Sequence, residues 1–313
     1  MGLLVGIDIG GTFTDIVGLD ATTGEFNFTK VPSTPQDFAK GFFNGLDKIL
    51  NFTGVSPGDV ARLIHGTTVA TNSIMEQKGA KIGILTTKGF EDVLIMGRQW
   101  RSDMYGLFYD PETPIFLCDR QRIMGLKERL DSQGNVLTPL NEADVIEAVD
   151  LLVQKHEVQA IAVCYLFSFI DPTHERRTEQ IIRERYPKVR VSLSSTINPR
   201  FREYERMVIT AFDAYVGPEM EVYIKELEEG MHKRNVSVVL QVMQSRGGIT
   251  SSAMCIEKPV VTLLSGPAGG AAGGIFAGKL CGRENLITLD MGGTTNDVAL
   301  IRHGKPYLSI EGK

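Results

Sequence analysis

The sequence contains the motif Asp-x-Gly-Gly-Thr-x-x-Asp twice, once in Asp8–Asp15 and again in Asp290–Asp297. Each copy follows an apolar run and precedes another, which is typical of two strands joined by a glycine tip. Paired glycines leave the tip without side chains, so its N–H groups can approach an anionic oxygen closely. One copy alone is compatible with an ordinary hairpin. A matched pair with an aspartate on each strand favours a phosphate site with a nucleotide held between two similar domains.

Strand-like and helix-like segments alternate along the chain, which predicts an α/β protein with a mixed sheet. The first three strands are expected to form a meander. A helix should follow, with Thr34 as its N-cap and Pro35 at its first position. Residues 201–229 predict one long helix that Pro218 kinks or breaks. The apolar run Val260–Leu264 predicts a further strand.

Charge, cysteine spacing and apolar runs indicate which binding partners and which cellular compartment to expect. The net charge is −5 over 313 residues, with no basic block, which disfavours nucleic-acid binding. No zinc-ligand spacing occurs among the four cysteines, and their scatter is typical of a reducing compartment. Neither a signal peptide nor an 18-residue apolar run is evident, so we expect a cytoplasmic protein that does not bind membranes. The cysteines are Cys118, Cys164, Cys255 and Cys281.

The paired hairpins resemble those of the actin-like ATPase superfamily, which includes sugar kinases, actin and heat-shock ATPases. Its members have duplicated RNase H-like domains, and each domain opens with a phosphate hairpin. The resemblance also implies a small-residue crossing helix before the second hairpin, and residues 265–280 match that composition. A P-loop is the alternative for this segment. It fails because Leu280 follows Gly278-Lys279, where Ser or Thr must hold Mg²⁺.

Within that superfamily the chain resembles the hydantoinase A / 5-oxoprolinase family, to which acetone and acetophenone carboxylase subunits and caprolactamase subunits also belong. The resemblance covers essentially the whole chain. Its matching segments are residues 6–17, 65–99, 128–140, 160–177, 194–218, 244–251, 263–274 and 289–301. Two positions depart from the family pattern: Arg246 replaces a frequent Asn, and Asn296 replaces a frequent Asp. The second change removes one possible acidic metal contact.

The resemblance implies ATP-dependent phosphorylation of a carbonyl oxygen in a hydantoin, 5-oxoproline or another lactam, followed by hydrolytic ring opening. A second, larger hydantoinase B-type subunit or domain is expected to complete the reaction. The first alternative is a subunit of an ATP-dependent ketone carboxylase. A small-molecule kinase and a non-enzymatic assembly subunit of the same superfamily are the others.

The resemblance also assigns roles to individual residues, with ATP and Mg²⁺ as the cofactors. Asp8 and Asp290 would hold Mg²⁺ through water or orient the attacking oxygen. The phosphate-binding set is Gly10, Gly11, Thr12, Thr14, Asp15, Gly292, Gly293, Thr294, Thr295 and Asp297. Weaker candidates for contacting substrate are His65, Gly66, Thr67, Thr68 and Arg98. A helix cap at Thr67 or Thr68 and a solvated surface at Arg98 are the alternatives for these.

The expected division of the chain follows the same resemblance. Residues 1–190 would form the hydantoinase/oxoprolinase N-terminal domain with the first hairpin. Residues 191–313 would begin a hydantoinase A domain that contains the hinge helix and the second hairpin. This second domain is expected to be incomplete at residue 313.

Overall fold

The computed structural model describes residues 2–34, 36–99, 105, 113–291 and 296–307, without the side chain of Asn296. The strands are β1 (Leu3–Ile9), β2 (Phe13–Asp20), β3 (Phe26–Pro32), β4 (Val60–Gly66), β5 (Ile82–Thr87), β6 (Ile123–Leu126), β7 (Arg129–Leu130), β8 (Val136–Thr138), β9 (Ala160–Cys164), β10 (Arg190–Leu193), β11 (Leu240–Met243), β12 (Ile249–Ser251), β13 (Leu286–Met291), β14 (Asn296–Arg302) and β15 (Lys305–Pro306). The helices are α1 (Phe38–Thr53), α2 (Val69–Met75), α3 (Val93–Met96), α4 (Glu142–Asp150), α5 (Thr173–Arg185), α6 (Ser194–Ile197), α7 (Glu203–Lys233), α8 (Ser252–Glu257) and α9 (Ser265–Leu280).

Two compact units divide the chain, one formed by residues 1–72 with 220–313 and the other by residues 73–219. The first unit is discontinuous in sequence because β11 pairs with β4 in one sheet. This division by compactness differs from the expected division at residue 190. The expected division follows the family resemblance and stays a prediction.

A six-stranded mixed sheet organises the first unit, in the order β12-β11-β4-β1-β2-β3. The predicted meander is confirmed, because β1, β2 and β3 pair antiparallel in sequence. Strand β4 lies parallel to β1, and β11 lies parallel to β4. Parallel neighbours need crossover connections, so helices alternate with these strands. The predicted mixed α/β class is therefore confirmed.

Helix α1 covers one face of the meander. Its Phe42, Leu46 and Ile49 recur at helical spacing and have no exposed surface. They lie against the face that includes Ile7 and Ile16, which are buried as well. Burial of each such side chain contributes about 1.5–3 kcal/mol, so this layer fixes the meander on the helix.

The helix begins later than its sequence predicts. Asp37 is the N-cap, and its carboxylate accepts a hydrogen bond from the Lys40 amide at 2.9 Å. Thr34 instead donates its hydroxyl hydrogen to the Asp37 carbonyl. The predicted cap at Thr34 is therefore wrong, because an aspartate three positions on takes the role. Pro35 lies outside the described residues.

The second unit contains a parallel sheet in the order β10-β9-β5-β6. A buried polar network lies near the carboxyl end of β9. Glu175 accepts hydrogen bonds from the Tyr165 amide and the Ser194 hydroxyl, and Arg206 donates to the Tyr165 carbonyl at 2.8 Å. Such buried charges are tolerated only when they are hydrogen-bonded, which these are.

One further prediction from sequence is corrected, and the break that was one alternative at Pro218 is excluded. The segment predicted as a strand at Val260–Leu264 contains a 3-10 turn over Pro259–Thr262. Its proline offers no N–H to a ladder, and the Thr262 hydroxyl bonds back to the Pro259 carbonyl. Helix α7 continues through Pro218 without a break, because residues on both sides of the proline are buried, including Val216 and Met220. Among the described helices, none is both long and apolar enough to cross a membrane.

Two glycines of the meander provide a matched test of this packing. A Cβ at Gly18 would lie 3.1 Å from Ile49 Cγ1 on α1, whereas a Cβ at Gly6 would meet no atom within 4 Å. We therefore expect Gly18→Val to lower the free energy of unfolding by about 1–3 kcal/mol through overpacking. Gly6→Val should change it by less than about 0.5 kcal/mol. Urea unfolding measures both, and equal effects of the two variants would contradict the packing of α1 on this face.

Candidate active site

The first hairpin presents a short tip with free amides. Strands β1 and β2 pair up to Ile9 opposite Thr14, and the Gly10 N–H donates to the Phe13 carbonyl at 3.0 Å. A Cβ at Gly10 would lie 3.0 Å from that same oxygen, so the turn favours glycine. Gly11 and Thr12 are exposed, and in the described part of the chain no acceptor pairs with their N–H groups. These two amides are available to an anion.

The second hairpin repeats this register in its strands. Asp290 lies opposite Asp297, as Asp8 lies opposite Asp15 in the first hairpin. The tip itself lies outside the described residues. The phosphate-binding roles predicted for Gly292, Gly293, Thr294 and Thr295 therefore stay predictions.

Helix α9 supports the second hairpin by close backbone approach. A Cβ at Gly274 would lie 2.1 Å from Thr288 Cγ2, and one at Gly278 would lie 2.6 Å from Leu286 Cδ2. Both positions need glycine for the helix to pack this closely on β13. A Cβ at Gly270 would lie 3.9 Å from Asp290 Oδ2. The helix predicted for residues 265–280 is thus confirmed, and it runs alongside the second motif aspartate.

The pKa of Asp8 is influenced by aspartates of both motifs. Its pKa is raised above the ordinary value, first by desolvation and then by the charges of Asp15 and Asp290. The carboxylate keeps a surface open to solvent, so the surrounding chain limits its hydration without sealing it off. Asp290 of the second hairpin is thus among the charges that raise the pKa of Asp8 in the first.

Gly66 makes room for the Asp8 carboxylate. The two residues are neighbours in the parallel pairing of β1 with β4. A Cβ at position 66 would lie 2.5 Å from Asp8 Oδ1, closer than side chains tolerate. The glycine of the His-Gly-Thr-Thr segment therefore has a direct steric role beside Asp8.

Asp15 has a cation on its other side. Lys30 of β3 lies directly opposite Asp15, with its Nζ 3.4 Å from Asp15 Oδ1. The lysine also lies over the Phe13 ring, 4.9 Å from its centroid. Because opposite residues of paired strands share a face, Asp8, Asp15 and Lys30 form one row across the meander. Sequence reasoning missed Lys30, since the motif ends before β3 begins.

Thr14 lies behind the tip rather than on its surface. Its side chain has no exposed surface, and its hydroxyl is hydrogen-bonded to the Ser33 hydroxyl at 3.0 Å. The Ser33 hydroxyl donates to the Gly10 carbonyl at 2.7 Å, and the Ser33 N–H donates to the Thr12 carbonyl at 2.9 Å. Thr14, predicted as a phosphate ligand, is thus placed where it supports the hairpin. No sequence signal pointed to Ser33.

His65 has both ring nitrogens occupied in the core. Nδ1 lies 3.2 Å from the Ile7 carbonyl and Nε2 lies 2.8 Å from the Tyr223 hydroxyl. Burial lowers the pKa of His65 to about 4, so the ring is neutral at pH 7. Nδ1 therefore donates to Ile7, and Nε2 accepts from Tyr223. The ring offers no free atom to a substrate.

The threonines that follow connect β4 to its neighbours. Thr67 Oγ1 accepts from the Val69 amide at 3.2 Å, as in the helix-cap alternative. Thr68 donates its hydroxyl hydrogen to the Ile9 carbonyl at 3.0 Å, next to the hairpin tip. Ser265, the first residue of α9, donates to the Thr67 carbonyl at 2.9 Å. This junction therefore links β1, β4 and α9 within the first unit.

Arg98 belongs to the second unit, whereas both hairpins belong to the first. Its Nε donates to Glu205 Oε1 at 2.9 Å, and its guanidinium lies over the Tyr204 ring. These contacts are those of a partly exposed ion pair, and a role toward substrate stays a prediction. The neighbouring Trp100 and Arg101 lie outside the described residues.

The carboxylates fit a magnesium ion that a nucleotide helps to hold. In the described ranges, no group of three or more His, Cys, Asp or Glu side chains could hold a metal ion by itself. Mg²⁺ is usually bound through one or two carboxylates together with phosphate oxygens and water. Asp8, with the space left by Gly66, and Asp290 provide that kind of incomplete donor set.

Two family models match this chain and together identify its family. The model of the hydantoinase/oxoprolinase N-terminal region matches residues 4–186, and the hydantoinase/oxoprolinase model matches residues 206–313. The chain belongs to the hydantoinase/oxoprolinase family. The two matches leave residues 187–205 between them, a range that contains the expected boundary at residue 190.

Several relatives of this family member are similar over almost its whole length. It is 33% identical to the caprolactamase subunit alpha of Pseudomonas jessenii, over 97% of this chain and 44% of that protein. The crystal structure of the ATP-dependent caprolactamase from that organism has a TM-score of 0.82, with 34% identity over 95% of this chain and 43% of that one. The chain is also 34% identical to the acetophenone carboxylase gamma subunit of Aromatoleum aromaticum, over 95% of this chain and 42% of that protein.

A nucleotide-free structure of acetone carboxylase, from work on ATP-dependent acetone carboxylation, has a TM-score of 0.86. Identity to it is 28%, over 97% of this chain and 44% of that one. The chain thus spans less than half the length of the relatives it matches.

Removing the Asp8 charge should stabilise the protein in the absence of ligands. Asp8→Asn relieves the repulsion from Asp15 and Asp290, and we expect a gain on the order of 0.5 kcal/mol at pH 7, as for like charges paired across strands. A carboxyl whose folded pKa is raised lowers stability as pH rises, so the gain should shrink as pH falls toward 4. Urea unfolding at low ionic strength, without Mg²⁺, measures the difference.

Asp20→Asn is the matched control for this test. The amides of Thr22 and Thr23 hydrogen-bond to the Asp20 carboxylate and lower its pKa, so neutralising it should destabilise the protein. A stabilisation of the same size in both variants, or none in Asp8→Asn, would contradict the electrostatic cluster.

Neutral, buried His65 predicts a loss of stability in acid. Because its pKa is lowered in the folded state, the unfolded chain takes up a proton first as pH falls below about 6.5. The free energy of unfolding should therefore drop between pH 6.5 and about 4, by about 2–3 kcal/mol in total. His65→Asn should flatten this part of the pH profile, whereas replacement of the exposed His303 should leave it in place. An unchanged profile in His65→Asn is the contrary result.

Proposed function

We propose that the chain provides the phosphate-handling part of a cytoplasmic, ATP-dependent enzyme with an actin-like ATPase fold. Its reaction would be the phosphorylation of a cyclic amide oxygen, in a hydantoin, 5-oxoproline or another lactam. The observation that carries this proposal is the same register in two Asp-Gly-Gly-Thr hairpins of one compact unit, Asp8 opposite Asp15 and Asp290 opposite Asp297. The Asp290 charge is also among the causes that raise the pKa of Asp8. A single hairpin of this kind could be an ordinary turn. Two hairpins with aspartates at the same register positions support a triphosphate bound by both.

The chemistry follows from amide resonance. The amide oxygen attacks the γ-phosphorus of ATP, the bond to the bridging oxygen breaks, and ADP leaves. Once the oxygen carries phosphate, nitrogen lone-pair donation no longer protects the carbon. Water then adds to the carbon, and the C–N bond breaks to give an acyl phosphate and a free amine. A second water hydrolyses the acyl phosphate to a carboxylate and inorganic phosphate. Phosphoryl transfer of this kind depends mainly on positioning and on neutralising charge.

The residues of this chain have separate parts in that scheme. The exposed amides of Gly11 and Thr12 would bind phosphate oxygens, as backbone N–H groups in glycine tips do. Asp8 would orient the attacking oxygen or the water shell of the metal, in the space that Gly66 leaves. Mg²⁺, when bound, would neutralise charge on the phosphates. Asp290 would have the same role on the second hairpin. Asp15 and Asp297 lie directly opposite Asp8 and Asp290 on the paired strands.

A ketone carboxylase subunit is the second candidate function. It is favoured by the similarity to the acetophenone carboxylase gamma subunit and by the TM-score of 0.86 with acetone carboxylase. The phosphate hairpins would have the same task, with a ketone oxygen as the nucleophile and a carboxylating partner instead of water. In both cases the relatives named as subunits support a partner subunit, and a larger hydantoinase B-type chain is the one we propose.

The decisive experiment measures ADP release by the full-length protein with its partner subunit, across hydantoins, 5-oxoproline, lactams and ketones. We expect stimulation by a cyclic amide, with ring opening that requires the partner. Asp8→Asn should lower the stimulated rate by about 100-fold or more, in the range for losing a group that stabilises developing charge. Asp20→Asn, on the β2–β3 turn, should leave it unchanged.

Other outcomes separate the alternatives. Bicarbonate-dependent carboxylation of a ketone identifies the second candidate, and a stable phosphorylated product identifies a small-molecule kinase. Wild-type turnover in Asp8→Asn refutes the role of Asp8. The absence of stimulation by every compound refutes the enzymatic proposal and leaves an assembly subunit.

A further inference from the structure

We propose that Ser33 is a positioning residue that aims the Gly11 amide at phosphate through a hydrogen-bond relay from Thr14. This role rests on the proposed function and extends it to a residue outside the repeated motif. Neither the motif nor the family resemblance points to Ser33.

Ser33 is hydrogen-bonded to three residues of the first hairpin. The Ser33 hydroxyl lies 2.7 Å from the Gly10 carbonyl and 3.0 Å from the Thr14 hydroxyl, and the Ser33 N–H lies 2.9 Å from the Thr12 carbonyl. These contacts come from the segment that follows β3, so the third strand of the meander braces the tip formed by the first two.

The direction of the relay follows from counting hydrogens. A serine hydroxyl has one hydrogen, and here it is donated to the Gly10 carbonyl. In the pair with Thr14, Ser33 must therefore accept, and Thr14 donates. Hydrogen bonds in such a chain polarise one another, and Thr14 has no exposed surface at which water could compete. The buried threonine thereby strengthens the bond at the carbonyl of Gly10.

That carbonyl belongs to the same peptide group as the Gly11 N–H. The described part of the chain contains no cis peptide bond, so the C=O and N–H of this group point in opposite directions. Holding the carbonyl toward Ser33 turns the N–H of Gly11 away from it, toward the exposed side of the tip. Polarising the carbonyl also makes the N–H a better donor. Both effects favour a bound anion.

The hydrogen bond from Ser33 restrains a peptide group that lies between two adjacent glycines. Gly10 and Gly11 have few steric limits on their backbone angles, so their shared peptide can rotate unless something holds it. A tip that must leave room for phosphate cannot use a side chain for that task. The hydroxyl of Ser33 does it from behind, on the side opposite to the approaching ligand.

Substitution of Ser33 tests the relay without removing the backbone bond to Thr12. Ser33→Ala removes the hydroxyl, and Ser33→Thr restores it at a half-buried position. Thr23→Ala is the matched control, because it removes one hydroxyl from the β2–β3 turn, where Thr23 accepts from the Glu25 amide at 3.2 Å. Calorimetry on the full-length protein would compare the binding of Mg·ATP with that of adenosine, which has no phosphate.

We expect Ser33→Ala to weaken Mg·ATP binding about tenfold, the upper range for one hydrogen bond, and to leave adenosine binding unchanged. Ser33→Thr should return the affinity to within about threefold of wild type, and Thr23→Ala should not change it. The amide ¹⁵N shift of Gly11 should move in Ser33→Ala and return in Ser33→Thr, since it reports the hydrogen bond on its own peptide group. A purely structural role would weaken both ligands alike.

The contrary outcomes are distinct. If wild-type protein binds Mg·ATP and Ser33→Ala binds it equally well, the role of Ser33 is overturned and the proposed function stands. Equal weakening of adenosine and Mg·ATP also overturns it, in favour of general support of the fold. If the wild-type protein binds no nucleotide in the presence of its partner, the proposed function fails first, and the role of Ser33 fails with it.

Discussion

The pairing of β1 with β2 on one side and β4 on the other is the constraint on which the site depends. A single register places Asp8 opposite Asp15 and beside Gly66 at once. A slip of one residue would turn the carboxylate toward α1 and into the core. The alternation of buried isoleucines with Gly6 and Asp8 along β1 prevents such a slip, because the isoleucines must face the helix. The same hydrophobic pattern that builds the sheet therefore aims the catalytic candidate outward.

The site lowers the stability of the fold locally. Like charges face each other across β1 and β2, a glycine tip leaves amides unpaired, and desolvation raises the pKa of Asp8. None of these features helps the unliganded chain to fold. The layer beneath offsets them: Phe42 lies edge-on to both Phe43 and the neutral ring of His65. Local departures from the most stable arrangement, supported by a well-packed layer, are typical of binding sites.

Residues adjacent in sequence were predictable, and residues joined only by the fold were not. Apolar runs and glycine tips located the meander and the second pair of strands. The α9 helix was expected from the superfamily resemblance and from its small-residue composition. The strand predicted at Val260 failed because Pro259 and a local side-chain bond decide that segment. Ser33 reaches the hairpin across 23 positions, and the partner of His65 lies 158 positions away. No local pattern encodes either contact.

The two hairpins share a motif and a register, but their surroundings differ. The first lies inside a six-stranded sheet, with α1 on one face and Ser33 behind its tip. The second belongs to a three-stranded sheet in which α9 packs on one face, while Ile287, Leu289 and Val298 stay exposed on the other. A motif repeated in sequence therefore does not imply two equally supported sites. The first hairpin has paired strands on both sides of its strand pair, β4 beside β1 and β3 beside β2. Under the proposed function, the first hairpin would therefore set the geometry of a bound phosphate, and the second would add its charge to that position.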